Sequence, residues 1–137
     1  MATNTKAPDH IEFAGDYNND YIRLHTHYGE IIDIKKLVDE LNIYESIYKN
    51  ALTGSVVITD AQNLISKLQI QGMERLSFKI ATPGVTRSRD AVDATEKTGH
   101  PFHIYKITNR VQTAPGTLRY VLHFGSREFM RNIRTKV

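Results

Sequence analysis

From Arg75 to Ile80 the chain alternates strictly, with Leu76, Phe78 and Ile80 on one side and Arg75, Ser77 and Lys79 on the other. A β-strand sends successive side chains to opposite faces, so a period of two specifies a strand with one buried face and a sheet to receive it. Leu118, Tyr120, Leu122 and Phe124 mark one face of a second such strand. Between the strand-like runs Phe102–Val111 and Thr117–Phe124 lies Thr113-Ala114-Pro115-Gly116, whose Pro and Gly supply turn chemistry, so the spacing predicts a β-hairpin.

The rest of the chain conforms to that frame. Leu37, Leu41 and Ile43 share one face of a strand, with Val38, Glu40 and Asn42 on the other and Asp39 on the apolar side. The four-residue spacing of Leu37 and Leu41 also fits a helix, but the run Gly54–Asp60 that follows favours a strand pair joined by Tyr44–Thr53. Between Ile11 and Ile34, short apolar groups separated by Asp16–Asp20 and Tyr28-Gly29-Glu30 read as strand, turn, strand. Two short helices complete the expectation: Ala61–Leu68 with Asp60 as N-cap, and a basic one from Arg127 to about Thr135 with Ser126 as cap. In the second, Arg127, Arg131 and Arg134 fall on one side and Phe129 and Ile133 on another. The fold class is mainly β, as one domain over residues 11–137 preceded by a flexible polar arm, residues 1–10.

Composition narrows the chemistry. With no cysteine, disulfides, thiolate nucleophiles and Cys-based zinc sites are excluded, which fits assembly in a reducing cytoplasm. No apolar run reaches the length of a membrane span, and Met1–His10 lacks an apolar signal core. The net charge of +3 conceals an asymmetry: residues 101–137 hold seven Lys/Arg against Glu128 alone, a surplus of six, which leaves the first hundred residues at −3. The two parts are therefore expected to face different partners.

Catalytic and metal chemistry finds no set of residues. His25 and His27 share one side of a strand without a third ligand at a defined spacing, and solvated histidines are the simpler reading. His100, His103 and His123 come toward one another only if the hairpin forms, with no Ser or acid placed to complete a triad. Asp39 and Glu40 face opposite sides of a strand, which prevents a close acid/base pair. The glycines are scattered singly, with neither GxxxxGK[ST] nor GxGxxG. Neither an enzyme nor a cofactor is expected. Tyr44, Tyr48 and Tyr105 can stack on bases and the three arginines can meet phosphates, so a small nucleic-acid-binding barrel is the alternative, without an accompanying nucleic-acid motif.

Several segments, in this order, resemble the N-terminal part of the baseplate hub proteins of contractile-tailed phages: Asp33–Tyr48, Leu52–Asp60, Asn63–Leu68, Gly72–Phe78, Phe102–Ile107, Leu118–Phe124 and Ser126–Ile133. The resemblance covers about residues 20–137, and it is the order of the elements that carries it. It implies a tail-tube-like antiparallel β-barrel whose copies form a trimeric or hexamer-like ring in the virion, between tail tube, central spike and baseplate wedge proteins. Nucleic acid would be met only as DNA passing through the tube. Hub proteins are considerably longer, so the chain is expected to match the N-terminal portion of one. The connection 83–101 exceeds the ~12–15 residues usual for a structureless loop, and such loops often contact partners. The candidate subunit contacts are therefore Arg87, Arg89, Asp90, Asp93, Glu96 and Lys97 in that loop, with Arg127, Arg131 and Arg134 in the last helix.

Overall fold

The structure is a computed structural model and describes Ala14 and residues 17–84, 92–95 and 100–135. Strands account for about half of the described residues. They are β1 (Asn18–His25), β2 (Ile31–Asp33), β3 (Val38–Tyr44), β4 (Thr53–Asp60), β5 (Arg75–Ala81), β6 (Val92–Asp93), β7 (Phe102–Ala114) and β8 (Thr117–Gly125), with helices α1 (Leu64–Lys67) and α2 (Arg127–Thr135). All pairings are antiparallel, in the order β2-β1-β5-β7-β8-β4-β3, with β6 beside β5.

Strands from both ends of that order feed one core. Ile22 and Leu24 of β1 belong to the same buried cluster as Val56 and Ile58 of β4, so the sheet curls over itself. The two outermost strands, β2 and β3, are separated in sequence only by Ile34 and the 3-10 turn Lys35–Leu37. No hydrogen-bonded ladder joins them, so the sheet is curled without being closed into a barrel. The expected alternation fills the interior: Leu76 and Phe78 from β5, and Tyr120, Leu122 and Phe124 from β8, are fully buried. Phe78, Phe102 and Phe124 meet at centroid separations of 5.3, 5.9 and 5.0 Å, within the range where aromatic rings attract.

The hairpin and the β3–β4 pair form as the residue patterns require, and three local expectations are corrected. Asn18 and Asn19 are strand rather than turn, with a register shift between Asn19 and Ile22 that absorbs the polar residues as a bulge. Helix α1 is only four residues, and the position preceding it is Asn63, in the left-handed region at φ 57°. Asp60 nevertheless organises that turn: it is fully buried and accepts the N–H groups of Gln62 (2.9 Å) and Ile65 (3.3 Å) and the hydroxyl of Tyr120 (3.3 Å). Within the connection 83–101, whose length exceeds that usual for a structureless loop, Val92–Asp93 form β6 beside β5 and Ala94 and Thr95 are buried. The arm 1–10 and the strand expected at Ile11 and Phe13 lie outside the described residues.

Candidate functional site

The basic pocket is built by the start of β7 and the length of α2. Helix α2 leaves β8 through Ser126, whose N–H donates to the Leu52 carbonyl (2.8 Å) and whose Oγ accepts the Leu52 N–H (3.2 Å). The expected Ser cap is thus committed to the loop before β4, which fixes where the helix departs. Phe129 then packs on the Tyr105 ring at 5.1 Å, setting the rotation of the helix. As a result Arg127, Arg131 and Arg134, all exposed, come together with Met130 and His103 around a cavity of about 360 Å3. Phe129 and Ile133 line a different one, of about 540 Å3, with Tyr48, Lys49, Asn50 and Ala51.

The pocket's field is positive. Burial, together with the guanidinium groups of Arg75, Arg127 and Arg134, holds the His103 imidazole below its ordinary pKa, because each disfavours the protonated ring. Nearby, the Glu128 carboxyl lies below the usual range: it accepts its own backbone N–H, then the Ser126 hydroxyl, and His100 and Arg131 add attraction. Among the described residues no carboxylate stands within ion-pair distance of Arg127, Arg131 or Arg134, while Asp39 pairs with Arg119 at 3.6 Å. Three guanidinium forks beside an imidazole that resists protonation offer donor geometry suited to an oxyanion, carboxylate or phosphate.

The second feature is a pair of free strand edges. β3 pairs with β4 on one side only. β7 is covered by β8 along its length but meets β5 only at Phe102 and His103, so Lys106–Ala114 has no second strand neighbour among the described residues. Both edges carry exposed apolar groups, Tyr44 on β3 and Val111 on β7, and beyond β3 stand Ile47 and Tyr48, each more than 90% exposed. An exposed edge is a template for pairing, which a protein either blunts or uses. On β2 the blunting is by length, three residues.

The other expected groups separate. Arg87, Arg89, Asp90, Glu96 and Lys97 lie outside the described residues. Asp93 sits in β6 opposite Lys79 and accepts the Thr95 N–H at 3.1 Å, a turn-forming role. His25 is buried against the Ser77 hydroxyl (2.6 Å) whereas His27 lies in the turn against Tyr28, so they share no site. His123 bonds Thr108 (2.7 Å) and is kept below its ordinary pKa by burial and Lys106. Asp39 contacts Thr59 and Arg119, Glu40 contacts Asn42, and the two carboxylates serve different neighbours. No cluster of three or more His, Asp or Glu able to hold a metal exists among the described residues, and no helix is long and apolar enough to cross a membrane. The sequence reading missed Glu74, buried with its carboxylate accepting the N–H groups of Gln71 (2.8 Å), Gly72 (2.8 Å) and Met73 (3.0 Å), and it missed both free edges. The free edges left no signal in the sequence, because strand neighbours are set by contacts distant in the chain. A scan against protein-family models matches no family, and a search of curated proteins finds no match.

Proposed function

We propose that this chain is a non-enzymatic structural virion protein, a baseplate-hub-type ring subunit that links tail tube and central spike in a contractile phage tail. The observation that carries the reading is the pair of unlike free edges. β3 is antiparallel to β4, β4 to β8 and β8 to β7, so β3 and β7 run antiparallel to each other at opposite sides of a four-stranded unit. Rotating one copy so that its β3 meets the β7 of the next continues the sheet with the same antiparallel sense. A head-to-tail contact of that kind makes a ring when the rotation closes, and the ring wall would be the barrel that the single chain lacks. The resemblance in segment order to hub proteins supplies the biological setting: assembly in the host cytoplasm, with tail tube, spike and wedge proteins as neighbours.

Native mass spectrometry over a concentration series, with and without single-stranded DNA, tests this. A trimer or hexamer that grows with concentration and ignores DNA is the expected result; a monomer at every concentration overturns it. A second reading, a small nucleic-acid-binding protein, draws on the Arg127/Arg131/Arg134 pocket. It requires binding to single-stranded DNA that weakens steeply with salt, and no binding at low salt removes it.

A further inference from the structure

Arg127, Arg131 and Arg134 follow one another at helical spacing, which stacks them on one stripe of α2. Such a stripe alone is an ordinary solvated face. Here it meets the start of β7, and His103 and Met130 join the three arginines around one cavity of about 360 Å3. Among the described residues no carboxylate lies within ion-pair distance of the three. The acid next to them in sequence, Glu128, accepts its own backbone N–H and the Ser126 hydroxyl and is attracted to Arg131 from beyond that distance. Like charges at helical spacing oppose helix formation, and Arg127 opens α2, the end at which the helix dipole favours an anion. Arg75, the register partner of His103 on β5, adds to the same positive field. The fold therefore gathers charges that repel one another, and a bound anion would relieve that repulsion.

We propose that this cavity binds a phosphoryl group, free or at the end of a small monoester, with Arg127, Arg131 and Arg134 donating to its oxygens. The proposal goes beyond the ring reading and does not depend on it. A phosphoryl group presents three acceptor oxygens and a charge of about −1.5 to −2, which suits three guanidinium forks. A carboxylate presents two oxygens, which a single fork satisfies. The cavity is at the lower end of the ~300–1,000 Å3 typical of small-molecule sites, and Met130 gives the carbon end of a monoester an apolar wall. A nucleic-acid strand would need an open aromatic platform beside the phosphate site. Tyr105, the aromatic residue nearest in sequence to His103 on the β7 side, is packed on Phe129 and His123, and exposed Tyr48 lines the cavity on the Phe129/Ile133 side of α2. His103 reports on occupancy, because an anion among the arginines would offset the field that now disfavours its protonated ring.

Titrating inorganic phosphate into the full chain at constant ionic strength, with the His103 imidazole resonances as readout, tests the site. Acetate, glycerol phosphate and a single-stranded DNA oligomer are compared, and circular dichroism checks the fold of each variant. The expected result is a saturable shift with phosphate, a His103 titration midpoint that moves up at saturation, and an affinity about tenfold weaker in Arg131→Gln, equivalent to ~1.4 kcal/mol. Arg119→Gln, which removes a guanidinium paired with Asp39 elsewhere on the sheet, should bind like wild type. Tighter binding of glycerol phosphate than of phosphate assigns the site to a monoester, and the reverse assigns it to the free ion. Acetate matching phosphate, a shift that never saturates, or Arg131→Gln binding as tightly as wild type overturns the proposal. DNA that displaces phosphate at far lower concentration, and fails to do so in Arg131→Gln, overturns the small ligand and gives the cavity to a polynucleotide.

Discussion

Gly54 shows how closely two neighbouring strands of the curled sheet approach the core. A Cβ there would collide with the Asn42 carbonyl and with the edge of the Phe124 ring, so the position accepts no side chain without moving the aromatic cluster. Gly54→Ala is expected to destabilise the fold by about 2 kcal/mol through overpacking, read as a lower midpoint in urea. Asp60 makes the opposite case, a charge placed where nothing but protein surrounds it. Its three hydrogen bonds tie the end of β4 to the α1 turn and to Tyr120, whose phenol is pushed above its ordinary pKa by burial and by the Asp60 charge. Removing the hydroxyl in Tyr120→Phe should cost about 1 kcal/mol, whereas Asp60→Ala, which orphans two N–H groups and the phenol, should cost about 3 kcal/mol. A Tyr120→Phe loss as large as that of Asp60→Ala would show that the phenol, rather than the backbone turn, depends on the carboxylate. From sequence Asp60 reads as a helix cap, and its side chain does bind one N–H of α1, Ile65, and one just before it, Gln62. Its complete burial is invisible there, since it follows from the β8 strand that packs over it.

At the scale of elements, legibility tracks locality. The β7–β8 hairpin is announced by Pro115-Gly116, and Gly116 has the positive φ of 74° that such a turn needs after proline. The strand pair β3–β4 follows from β-branched alternation. What the sequence conceals is length and irregularity: β7 runs to 13 residues against nine in β8, and three register shifts accommodate the excess. One of them centres on Asn109, left-handed at φ 53°, a conformation that Asn tolerates better than most residues. α1 shortens for a similar reason. The apolar spacing of Ala61–Leu68 suits two turns of helix, but the bonds from Asp60 hold the first residues in a tight turn, and Gln69, also left-handed at φ 49°, ends it. The polar composition of Asp16–Asp20 reads as a turn, yet Asn18 and Asn19 belong to β1. A bulge can hold the same residues in a strand.

For the whole molecule, strand order beyond the β3–β4 and β7–β8 pairs was not legible, because β1 lies beside β5 and β4 beside β8 through contacts distant in the chain. The basic character of α2 was legible. Its convergence on His103 was not, since that depends on the Tyr105–Phe129 contact and on the tie between Ser126 and Leu52. The convergence has a titration consequence. His103 and His123 both bind protons less readily when folded than in the unfolded chain, so the unfolded state takes up more protons as the pH drops. Stability should therefore be full above the ordinary imidazole pKa of about 6.5 and decline as the pH falls through the folded values. Thermal midpoints measured from pH 7.5 down to 5 should show that slope, and His103→Gln should flatten it. An unchanged slope in that variant would assign the effect to other groups.

The junction of β5 and β7 is two residue pairs wide, Arg75 with His103 and Leu76 with Phe102, while the neighbouring ladders run along most of their strands. Side-chain packing, more than backbone hydrogen bonding, holds the halves together across that line. Along the strand order, backbone pairing is therefore thinnest between β5 and β7, where the Ile104 N–H adds a bond to the Glu74 carbonyl (2.9 Å).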